Sequence, residues 1–170
     1  MDSNSANFEG LWRQLSRMER VGWLTAAYVR WFACASLWPT RPSGEVIELD
    51  GRWIDGLESF FCAIGEAVNG AAGYFGKSLN GLADCAAGGF GIIPPWTLRW
   101  HYSKLARDAL GYEETLRYER EQYDAEEFPD EEARLAAKQR LDDLLARRGP
   151  TLFDTIVSIL QERGVVVELL

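Results

Sequence analysis

The 170-residue chain has little of what most catalytic and metal-binding motifs require. It holds one histidine, His101, and three cysteines, Cys34, Cys62 and Cys85, with no Cys-x-x-Cys pair, no Gly-x-Ser-x-Gly elbow and no His-Glu-x-x-His. Those absences remove the common zinc and hydrolase signatures and leave an enzyme reading without a specific support. An odd number of cysteines among apolar neighbours reads as free thiols that behave as small hydrophobes, which places the chain in a reducing cytoplasm with neither zinc nor another cofactor. Positive charge is also scarce. Eighteen Lys and Arg against 26 Asp and Glu leave a formal charge of −8 and a pI near 4.8. Such a surface repels phosphate backbones, so no direct nucleic-acid contact is expected and a basic protein partner is favoured. No unbroken apolar run is long enough for a membrane span: "VGWLTAAYVRWFACASLW", residues 21–38, carries Arg30 near its middle, where a bilayer would charge several kcal/mol or so.

What is present is ordinary globular composition, 47% hydrophobic and 26% charged, in a chain of a length suited to one packed core. Residues 1–43 read as an N-terminal amphipathic helical extension. Phe8, Leu11, Trp12, Leu15 and Met18 fall at helical spacing, followed by a broader aromatic face through Trp23, Tyr28, Trp31 and Phe32. "LWPTRPSGE", residues 37–45, is punctuation, and the main domain runs over 44–170. A strand is expected over 45–49 and a helix from Asp55, with a capping box of Asp55 and Glu58 and an apolar face of Leu57, Phe60, Phe61, Ile64 and Val68. Ser78 caps a second helix in which Leu79, Leu82 and Ala86 face inward while Asn80 and Asp84 share the opposite side. "WTLRWHY" alternates as a strand over 96–102, residues 112–149 form an exposed, charged, mostly helical insertion, and Thr151 with Asp154 boxes the last helix. "VVVELL" closes the chain as a buried strand. The order strand, helix, helix, strand, helix, helix, strand implies an α/β fold with a small parallel sheet.

The loop "NGAAGYFGKSLNGLADC" ends on Gly76-Lys77-Ser78 and so invites comparison with a phosphate-binding loop. The first glycine of that motif falls on Ala71, one position off, and the loop follows a helix where a phosphate loop follows a strand. Asp50 at a strand end is a magnesium candidate that reads more simply as an Asp-Gly turn, and His101 on an alternating strand reads as structural.

The stretch "WIDGLESFFCAIGEAVNGAAGYFGKSLNGLADCAAGGFGIIPPWTLRW" resembles the barstar family of intracellular inhibitors of barnase-type ribonucleases. "TLFDTIVSILQERGVVVELL" is similar to that family's last helix and strand. The likeness spans about residues 44–111 and 150–170 and is most specific at Tyr74-Phe75-Gly76 and the helix with Asn80, Leu82 and Asp84. It implies a three-stranded parallel sheet packed with helices, whose second helix and preceding loop plug a ribonuclease active site in a one-to-one complex of a monomer. Carried across by motif, the partner-binding residues are Tyr74, Phe75, Gly76, Asn80 and Asp84, with Phe90 as an aromatic contact; Asp84 stands where the substrate phosphate would lie. Of the two loop rings, Tyr74 is expected to be the exposed one and Phe75 the core one. The family has Asp where Asn80 stands, Ala at Gly81, Trp at Ala83 and Glu at Ile159. Those departures fit a different cognate ribonuclease, a toxin of another fold, or a paralogue without inhibitory activity. The implied partner is a secreted or toxin-type ribonuclease with a basic active site. The alternative is an interaction module of the same fold that uses the N-terminal helix or the acidic insertion.

Overall fold

The computed structural model describes residues 8–34, 39–125 and 128–170. The first seven residues of the N-terminal extension and residues 35–38, where the aromatic segment meets the proline-rich punctuation, lie outside the described residues.

Three parallel strands, β1 (Val46–Asp50), β2 (Trp96–His101) and β3 (Val165–Leu169), form one sheet in the order β1-β2-β3, so the chain is α/β. Ile47, Leu49, Trp96, Leu98, Trp100 and Val165 alternate onto the covered face and are buried. Over them lie α2 (Leu57–Asn69), α3 (Leu79–Ala86) and α7 (Leu152–Glu162). Phe60 of α2 stacks on Trp100 at 5.5 Å, and Trp100 meets Phe153 of α7 at 4.9 Å. The sheet's other face is bare and is populated by charge: Arg99 donates to Glu168 at 2.8 Å and to Glu48 at 3.0 Å, and His101 Nε2 lies beside Glu48. Those partners, His101 first, hold the Glu48 carboxyl below its usual range. The bare face corrects one expectation: β3 is not a buried strand, because it sits at the sheet edge with Val166 and Leu169 exposed.

The five apolar positions expected along α2 are all buried. Its start differs from the expected box. Ser59 Oγ accepts from the backbone N–H of Asp55 and Gly56, and a distant Glu114 accepts from Leu57 N at 2.9 Å. Asp55 instead pairs with Arg20, whose buried guanidinium demands an acid partner. Ser78 caps α3 by accepting from Gly81 N at 3.1 Å, as expected. At α7 the reciprocal box is present: Thr151 N donates to Asp154 at 3.0 Å, and Asp154 N donates to Thr151 at 3.3 Å.

The N-terminal segment is a short 3₁₀ turn, Leu11–Gln14, followed by α1 (Arg17–Ala33) with a Ser16/Glu19 capping box. The run from Phe8 to Met18 therefore does not form one apolar face, since Leu15 is extended, Trp12 is buried and Met18 is largely exposed. Trp12, Leu24, Ala27 and Trp31 belong to the same hydrophobic core as Ile64 and Leu98. After α4 (Ser103–Ala109), the charged segment folds as α5 (Tyr112–Ala125) and α6 (Glu131–Leu145), which pack on each other. Arg117 of α5 bridges Glu58, Glu114 and Glu121, and Arg17 of α1 reaches Glu58 and Glu121, so the charges of this segment also tie helices together. Among the described residues, no helix is long and apolar enough to cross a membrane.

Candidate functional site

The loop between α2 and α3 is held from beneath by Asn69. Its side-chain amide donates to Tyr74 O at 2.7 Å and to Phe90 O at 3.1 Å, which ties this loop to the loop that follows α3. Gly76 adopts φ 93°, and a Cβ there would stand 2.8 Å from Leu82 N. The glycine is therefore required by the chain's own α3, whatever partner approaches. Phe75 is fully buried and packs edge-on against Trp96 at 5.8 Å. The loop follows a helix and closes on α3, an arrangement unlike a phosphate cradle.

Tyr74 is not the exposed ring. It is 6% accessible, because Tyr28 of α1 lies edge-on to it at 5.4 Å and Phe90 lies 6.2 Å away on another side. Burial pushes its hydroxyl up to about 12, with smaller contributions from Cys85, Tyr28 and Asp84. Phe90 is half-buried beneath Trp31, with ring centroids 5.9 Å apart, and meets Phe32 at 6.2 Å. Aromatic residues expected to belong to two separate regions thus form one contiguous ribbon from α1 to the loop after α3. The signal in the sequence was the aromatic density of α1; its pairing with this loop depends on how α1 docks on α2.

Asn80 and Asp84 emerge as the spacing predicts, exposed and one turn apart on α3, opposite the buried Leu82 and Ala86. Among the described residues Asp84 has neither an ion-pair nor a hydrogen-bond partner. Glu58, Glu114 and Glu121 are by contrast each paired with an arginine. Behind Asp84, burial raises the Cys85 thiol to about 12, and Cys62 likewise, so both thiols stay protonated and inert. Lys77 lies over the Tyr28 ring at 5.0 Å. Ile159, at the position where the resemblance expects a Glu, is half-buried and packs against the core.

The other candidates are engaged elsewhere. Asp50 accepts from Arg52 at 2.7 Å, and that bond, set against partial burial, keeps its carboxyl below the usual range. His101 lies on the bare sheet face with Glu48. What the loop and α3 offer chemically is a surface with a carboxylate, Asp84, and an amide, Asn80, that have no partner among the described residues, beside an aromatic border. Compared with protein-family models, curated proteins and solved structures, the chain finds no match at a meaningful level, so the reading of this surface stands on its own geometry.

Proposed function

We propose that the protein is a barstar-like inhibitor of a bacterial ribonuclease, an immunity or antitoxin protein that occupies the enzyme's active site with the 70–78 loop and α3. The observation that carries this reading is Asp84: an exposed carboxylate without a partner among the described residues, on a short helix pressed against a loop that a required glycine and the Asn69 amide hold in place. Cationic groups assembled to bind a phosphate also bind a carboxylate presented at the same point, with charge-assisted hydrogen bonds stronger than neutral ones. Holding the carboxylate in position before contact lowers the entropy lost on binding. The overall charge of −8 favours encounter with a basic enzyme. Asn80 keeps a donor and an acceptor in the contact and reduces its charge relative to the motif. A barstar-like arrangement agrees with the parallel order β1-β2-β3 and with three helices over one sheet face.

The test is inhibition of a panel of purified small basic ribonucleases of the barnase type and of unrelated folds, at low and moderate salt. Wild type is expected to inhibit at least one enzyme in a salt-sensitive manner. Asp84→Asn is expected to weaken that complex by on the order of 2–5 kcal/mol, mostly through a faster off-rate. Equal inhibition by wild type and Asp84→Asn rules out the phosphate-mimicking mechanism.

A further inference from the structure

We propose that Tyr28 and Phe32, on the outward side of α1, form an aromatic rim to the Asp84 face and touch the same basic protein partner. They take the position that motif matching assigns to Tyr74. The inference rests on the inhibitor reading above and adds to it a second element of the chain and a second kind of contact.

Tyr74 has little surface to give a partner, and the residue that covers it is Tyr28. Tyr28 itself is 38% exposed and Phe32 54%, with their rings 4.7 Å apart. Phe32 continues to Phe90 at 6.2 Å, so the exposed aromatic surface is one piece, not scattered single side chains. Its nearness to the carboxylate follows from Tyr74. The Tyr74 hydroxyl lies 3.7 Å from where a Cβ on Gly81 would stand, and Gly81 is three residues, about one helical turn, before Asp84 on α3. The Tyr28 ring lies edge-on to that same Tyr74 ring at 5.4 Å.

The chemistry of the surface selects its occupant. A second copy of the chain carries the same −8 and presents the same uncommitted carboxylate, so self-association is opposed. Nucleic acid is opposed on the same ground. A protein with arginines and lysines around a phosphate-binding cleft is matched twice. One cation meets the Asp84 carboxylate, and another stacks on a ring face, as Lys77 already does on Tyr28 within the chain. The rim is also set before contact. Leu24, Ala27 and Trp31 are buried, Arg20 pairs with Asp55, and Arg17 bridges to α2 and α5, so α1 is held in place by its other contacts.

The experiment uses the full chain and whichever ribonuclease of the panel the wild type binds, with Kd measured for Phe32→Ser, Tyr28→Ser and Asp84→Asn. Phe32→Ser is the cleaner variant, since its ring is mostly in solvent and the unfolding midpoint is expected to stay at the wild-type value. Phe32→Ser is expected to raise Kd about tenfold or more, within the range of aromatic contacts at interfaces. Unchanged Kd in both aromatic variants, with binding lost in Asp84→Asn, overturns the rim and leaves the inhibitor reading standing. Loss in Phe32→Ser with none in Asp84→Asn removes the carboxylate mechanism and keeps the aromatic surface as the contact. A folded wild-type chain that binds no enzyme of the panel overturns both.

Discussion

Tyr74 shows how a residue matched by motif can have its role decided by a neighbour far away in the chain. Its ring is packed among Tyr28 and Phe90, above a loop closed on α3. Tyr74→Ala is therefore expected to cost about 3–5 kcal/mol of stability as a large buried ring is lost, and Tyr74→Phe to cost about 1 kcal/mol or less. Urea unfolding of the two variants checks this; a Tyr74→Ala protein as stable as wild type would mean the ring is not part of the core. Asn80 and Asp84 were legible in the sequence, because a four-residue spacing opposite Leu82 and Ala86 fixes their side of the helix. Phe75 is the core ring, as expected, but the burial of Tyr74 was not legible. Adjacent residues in a loop carry no periodicity, and what covers Tyr74 is α1, which the sequence does not position.

At the scale of elements, local sequence and structure agree at the helix starts whose cap comes from the helix's own first turn. The Thr151/Asp154 box needs only its own four residues and appeared as read. Burial works against the Asp154 carboxylate, but hydrogen bonds from Thr151 and the nearby Arg107 outweigh it and hold the group below its ordinary value of 3.8. A depressed acid contributes stability above its unfolded value and loses it as pH falls through its folded value, so this contribution vanishes in acid below 3.8. Asp55, depressed by Arg20 and Ser59 in spite of partial burial, behaves the same way. Glu114 has the opposite sign: burial raises it, so its carboxylate form opposes folding as pH rises through its folded value. Thr151→Ala is expected to lose about 1 kcal/mol at neutral pH and to show a smaller further loss than wild type as pH falls below 3.8, read by urea titration. The start of α2 was misread because its caps, Glu114 and Ser59, include a group from a remote helix. The strand β3 was misread from its run of valines. The better signal was in β2, whose alternation of Trp96, Leu98 and Trp100 with Thr97, Arg99 and His101 is what a sheet with one bare face produces.

At the scale of the whole molecule, the N-terminal segment and the α/β body share one core. Removing residues 1–43 takes Trp12, Leu24 and Trp31 out of that shared core. Each buried tryptophan is worth about 3–5 kcal/mol against a typical total stability of about 5–15 kcal/mol. The 44–170 fragment is thus expected to be unfolded or loosely packed, with red-shifted tryptophan emission and no cooperative thermal transition. A fragment that melts cooperatively near the wild-type temperature would show that the extension is dispensable for folding. Sequence reasoning left open whether this segment covers the core or a partner, because amphipathicity shows that a helix has an apolar side and not what it packs against.

The two sides of α1 also differ in how freely they can vary. Toward the core, Leu24, Ala27 and Trp31 are locked by packing; toward solvent, Val29 and Phe32 are mostly uncovered. Substitutions at such exposed positions usually shift stability by only about 0.5 kcal/mol in either direction, whereas the loop from Tyr74 to Gly76 admits almost none without strain. Changes on the outward side of α1 therefore act on what the surface can bind and leave the fold intact, whereas changes in the loop act on the fold itself.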